Sequence, residues 1–107
     1  MIWLDRGHYG KTNCYLYRLD NLDYCEIILD VGFDSNEGYE TCMFYVLKED
    51  EKYYFFGASR NGAWKGYEIT EKYADKLKDY SPARVQSHFK YLEEVMFYKS
   101  PYNGELE

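Results

Sequence analysis

Proline is nearly absent: Pro82 and Pro101 are the two prolines in 107 residues. Residues 1–81 therefore hold no proline-rich linker, and no glycine- or serine-rich stretch replaces one. No segment repeats, so solenoid and propeller architectures are excluded. The chain reads as one domain over residues 1–100, followed by a flexible tail over residues 101–107. Long apolar runs are missing too. None approaches the roughly 18–20 residues that a membrane-spanning helix needs. The start, Met1-Ile2-Trp3-Leu4-Asp5-Arg6, lacks the basic-then-apolar pattern of a secretion signal. The expected location is the cytoplasm, with no membrane association.

Positive charge is in deficit. Lys and Arg number 13 against 19 Asp and Glu, for a net charge of −6. Direct nucleic-acid binding and docking to an anionic membrane both call for the opposite sign. Cysteine is scarce: Cys14, Cys25 and Cys42 are odd in number and widely spaced, which argues against a disulfide framework. Each sits in an apolar strand pattern and is expected to act as a small buried hydrophobe.

Aromatic residues are abundant. They make up 21% of the chain, and 14 of them are tyrosines. Rings burying about 150–250 Å² each let a short chain build a core. A core alone does not need so many phenols, because each buried hydroxyl requires a partner. Some tyrosines are therefore expected at the surface, where they make good contact material.

Residues 2–5 and 14–19 are strand candidates and residues 24–33, 39–48, 53–58 and 64–69 read as strands, with a loop over 7–13 and turn chemistry at Asp20-Asn21-Leu22-Asp23. In residues 24–33 the alternation places Cys25, Ile27, Leu29, Val31 and Phe33 on one face, and Ile28 breaks it. Residues 39–48 are apolar on both faces, with Met43, Tyr45 and Leu47 opposed to Cys42, Phe44 and Val46. Glu49-Asp50-Glu51-Lys52 is a hairpin loop, and Asn61-Gly62 is the strongest hairpin signal. The period then changes. Thr70 opens a helix to Tyr80, and Ser81-Pro82 opens a second helix, to about Tyr98, with Val85, Phe89, Leu92 and Met96 on one stripe. The expected fold is α+β: an antiparallel meander of four to five strands, then two C-terminal helices on one face. The doubly apolar strands require a cover on the second face, from loops or a partner, or else leave an exposed aromatic patch.

Few motifs carry chemistry. Gly10-Lys11-Thr12 has the tail of a phosphate-binding loop, but Asp5 stands where its first glycine belongs, and a strand follows instead of a helix. No metal-ligand spacing and no local signature pairing a cysteine with His8 or His88 occurs. No catalytic residue, metal or cofactor is assigned, and the chain is not expected to be an enzyme.

The acids are concentrated. Residues 20–51 contain ten carboxylates, at Asp20, Asp23, Glu26, Asp30, Asp34, Glu37, Glu40, Glu49, Asp50 and Glu51, against one base, Lys48, a local net charge of −9. Such a surface speeds association with a basic partner and repels nucleic acid. Equally, acids at strand ends keep sheets from joining edge to edge. The candidate partner-binding residues are these ten acids with Tyr39 and Trp64; Trp64 reads equally as an exposed anchor and as the end of the core. The expectation is a binding protein that blocks a basic nuclease or other nucleic-acid-binding protein, as small acidic anti-defence factors of phages and mobile elements do, anti-CRISPR and anti-restriction proteins among them. An immunity protein or antitoxin is the first alternative. A self-assembling structural protein, a homodimer or a small ligand-binding domain is the second.

Overall fold

The structure is a computed structural model and describes residues 1–9, 12–32, 41–59 and 64–95. Six strands form one antiparallel sheet: β1 (Ile2–Tyr9), β2 (Thr12–Leu19), β3 (Glu26–Gly32), β4 (Thr41–Glu49), β5 (Lys52–Ser59) and β6 (Trp64–Ile69). Two helices follow, α1 (Glu71–Lys78) and α2 (Pro82–Val95). The fold is α+β as expected, with six strands instead of four to five. The spatial order is β1-β2-β6-β5-β4-β3, so β3 to β6 form the meander and the β1–β2 hairpin joins it beside β6.

Three local features depart from the sequence pattern. The loop expected over residues 7–13 is mostly strand, with Gly7 opposite Cys14, His8 opposite Asn13 and Tyr9 opposite Thr12. Cross-strand pairing overrides the turn character of Gly7. The break at Ile28 is a register shift between Ile27 and Leu29, which turns the following residues over. Cys25 thus packs with one apolar cluster and Leu29 and Val31 with the other, where unbroken alternation had placed all three together. Finally, Glu49 pairs with Lys52, so the expected four-residue loop shrinks to the turn Asp50-Glu51. The Asn61-Gly62 turn and the tail over 101–107 lie outside the described residues.

The helices cover one face. Thr70 caps α1 by accepting from the Tyr73 amide at 3.2 Å, and the Ser81 hydroxyl accepts from the Arg84 amide at 3.3 Å ahead of α2. Tyr73 and Leu77 of α1 and Val85, Phe89 and Leu92 of α2 are fully buried against Phe44, Val46, Phe55, Tyr67 and Ile69. Phe89 is the hub, with ring centroids 5.4 Å from Phe44, 5.2 Å from Phe55 and 5.5 Å from Tyr67.

The second face is covered by the chain itself. Tyr45, Leu47, Tyr54 and Phe56 are buried there with Leu19, flanked by Ile2, Tyr17, Leu22 and Cys25. All of these neighbours come from β1, β2 and the segment leading to β3. In a flat sheet β1 and β4, four strand spacings apart, would be separated by about 19 Å. Instead the Ile2 amide donates to Glu49 Oε1 at 3.0 Å. The sheet therefore curls until its first strand reaches over β4. β2 joins the sheet at Gly66, the residue of β6 that pairs with Tyr17. A Cβ at Gly66 would lie 2.7 Å from both the Phe55 carbonyl oxygen and the Phe56 ring.

Two stability measurements follow. Gly66→Ala forces a methyl group against the Phe55 carbonyl and the Phe56 ring of β5 and should lower stability by about 2–3 kcal/mol in urea unfolding; a loss within error would mean β5 does not pack that closely on β6 there. Asp50 and Glu51 both hold positive φ, 53° and 65°, the geometry of a type I′ turn that favours glycine at its second position. Glu51→Gly removes about 1–2 kcal/mol of left-handed strain and adds about 0.5–1 kcal/mol of unfolded-chain entropy. The variant should gain about 0.5 kcal/mol by the same assay.

Candidate partner-binding surface

The strand ends bring several of the candidate acids together. Glu26 begins β3 opposite Lys48, Glu49 ends β4, Asp50 and Glu51 make the turn into β5, and Asp20 follows the last residue of β2. Asp23 lies in a single 3-10 turn, Leu22–Tyr24, whose preceding residue, Asn21, accepts from the Asp23 amide at 2.8 Å. The Asp20 carboxylate lies 2.7 Å from the Met1 ammonium, which also lies 3.9 Å from Glu49 Oε2 and so sets Asp20 beside the end of β4.

These acids do not all face outward. Asp20, Asp23, Glu26, Asp50 and Glu51 are exposed. Glu49 is turned inward, its side chain only 14% exposed, and accepts from the Ile2 amide and, at 3.8 Å, from the Cys25 thiol. Glu49 thus ties β1 and the turn before β3 to the end of β4. Asp30 is exposed farther along β3, opposite Tyr45. Asp34, Glu37, Tyr39 and Glu40 lie outside the described residues, as does the side chain of Trp64, whose backbone starts β6. Two cations lie among these acids, the Met1 ammonium beside Asp20 and Lys48 beside Glu51. Lys48 Nζ lies 3.7 Å from Glu51 and 5.5 Å from the centroid of the Tyr53 ring.

Several exposed apolar residues border the acids and were not singled out from the sequence. Tyr24 is 71% exposed and Ile27 48%, both within the acidic stretch. Trp3, opposite Arg18, is 42% exposed. The signal for Trp3 was parity, since Ile2 and Leu4 on either side of it are half-buried. Ile27 carried no such signal, because the register shift beside it decides its surroundings.

Among the described residues, Cys25 and His88 have structural partners. Burial, and after it the charge of Glu49, pushes the Cys25 thiol up, opposite to what a nucleophile needs. His88 Nδ1 pairs with the hydroxyl of the fully buried Tyr73 at 2.7 Å and stacks on Tyr80 with ring centroids 4.9 Å apart. The depression along α1 is shallow and lined by Glu71, Lys72, Asp75, Lys76 and Asp79, without histidine or cysteine. Among the described residues no group of three His, Cys, Asp or Glu is placed to hold a metal ion. Among the same residues no helix is long and apolar enough to cross a membrane. The chain matches no family model, no curated protein and no solved structure.

On the second face, Tyr17 Oη donates to Glu68 Oε1 at 2.8 Å while its ring meets Tyr54 edge-on, centroids 4.9 Å apart. Burial, then the bond to Glu68, pushes the Tyr17 phenol up; burial, then the charge of Glu68, pushes Tyr54 up to about 12. The folded chain holds protons that the unfolded chain releases near the ordinary phenol value of about 10. Stability from these phenols is complete below pH about 10 and is lost as pH rises through about 12. Urea midpoints should fall more steeply above pH 10 than between pH 8 and 9, and less steeply in Tyr17→Phe. A flat profile to pH 11 would contradict the buried Tyr17–Glu68–Tyr54 arrangement.

Proposed function

We propose that this chain is a non-enzymatic binding protein whose acidic strand-end surface occupies a basic, nucleic-acid-handling site on another protein. The observation that carries the proposal is the gathering of exposed Asp20, Asp23, Glu26, Asp50 and Glu51 at one end of the sheet, bordered by Tyr24. Carboxylates at that end stand where phosphates would, and the exposed ring supplies desolvated contact. Inhibition of a host defence nuclease is the biological setting that fits this physics, and a toxin's active site presents the same chemistry. The readings that use an open aromatic sheet face have less to draw on, since Tyr45, Leu47, Tyr54 and Phe56 are buried by this chain's own residues.

The test is affinity capture from a bacterial lysate, washed at rising salt, with the chain and with a variant carrying Asp23→Asn, Glu26→Gln, Asp50→Asn and Glu51→Gln. The expected result is a basic nucleic-acid-binding protein that is released by salt and retained at least roughly tenfold less by the variant. Equal capture by both chains, or capture indifferent to salt, would refute the proposal.

A further inference from the structure

The edge of the sheet at β3 offers a second element of recognition. Among the described residues β3 is bonded along one side only, to β4. Past the register shift its residues run regularly, with Leu29, Asp30, Val31 and Gly32 opposite Val46, Tyr45, Phe44 and Met43. Leu29 and Val31 are half-buried against the helix-side cluster. Asp30 and Gly32 are exposed on the other face. A strand added here would place side chains about 4.5–5.5 Å from these residues. It would need apolar groups beside Leu29 and Val31 and a cation beside Asp30.

We propose that the β3 edge receives an extended segment of the partner protein in which apolar and basic residues alternate. The inference rests on the reading above, that the partner is basic, and adds where and in what conformation one of its segments binds. Charge selects the occupant. A second copy of this chain pairing edge to edge would bring Glu26 and Asp30 of both copies together, and like charges on neighbouring strands repel. Main-chain bonding would supply affinity without a pocket, and the alternating side chains would supply selectivity.

The experiment uses the full chain, isotope-labelled, with two synthetic probes: an octapeptide alternating Val and Lys, and its Val and Glu counterpart. Amide hydrogen exchange is read residue by residue. The Lys probe should slow exchange within residues 27–32, less so as salt rises, and the Glu probe should not. Asp30→Lys should reverse the preference, weakening the Lys probe roughly threefold and strengthening the Glu probe by a similar factor. Should that variant fail to fold, the exchange map of the unchanged chain still decides. Salt-sensitive binding that protects residues 20–26 and 50–51 while leaving 29–32 unchanged would overturn the edge proposal and spare the acidic-surface reading. No salt-sensitive binding of the Lys probe would overturn both. Equal protection by the two probes, or protection of 27–32 that grows with the chain's own concentration, would overturn the choice of occupant.

Discussion

The need to bury β5 on both sides governs this fold. Phe55 and Phe56 are adjacent, point to opposite faces and are both fully buried. Two such rings remove on the order of 300–500 Å² from water, too much for a short chain to leave half exposed. One layer of helices meets half the demand. The other half is met when the sheet curls and carries the β1–β2 hairpin across the second face. β2 joins β6 at Gly66, whose missing side chain leaves room for the Phe56 ring of β5. Glu49 then ties down the far end of the curl through the Ile2 amide and the Cys25 thiol.

This closure limits where the proposed partner could bind. Both broad faces of the sheet are spent on the core, one under α1 and α2, the other under the hairpin. Among the described residues, the exposed surface includes the strand ends, the edges, the hairpin around Trp3 and Arg18, and the outer sides of the helices. The acids lie on the first two of these. Asp50 and Glu51 occupy a tight turn whose strained positive φ values suit glycine better, so stability alone does not explain these residues. A charged surface on a stiff hairpin end suits rapid, salt-sensitive association, and the adjoining β3 edge can add main-chain bonding.

Much of this was legible in the sequence. The two-faced alternation of Phe44, Tyr45, Val46 and Leu47 matches the two buried clusters residue by residue. Thr70 and Ser81-Pro82 marked both helix starts, because capping is a local interaction. What was hidden depends on contacts distant along the chain. Gly66 looks like an ordinary weak point in a strand until the Phe55 carbonyl and the Phe56 ring of the neighbouring strand are set against it. The fault at Ile28 was visible as a broken alternation, but which residues it turned over required the β4 register. The acids were visible as a stretch of sequence. That Asp20, Asp23, Glu26, Asp50 and Glu51 share an end while Glu49 turns inward follows from strand lengths that local propensity does not set.

The central claim is that the hairpin of β1 and β2 closes the second face, and the most direct test is the set of proton–proton contacts seen by NMR between Tyr17 and Tyr54, whose ring centroids are 4.9 Å apart. Strong cross-peaks between these rings are expected, together with amides of Leu47 and Phe56 that exchange only on global unfolding. Absent cross-peaks with rapid exchange at Leu47 and Phe56 would contradict the claim. The aromatic face would then be open, and the search for a binding surface would move there from the acidic strand ends.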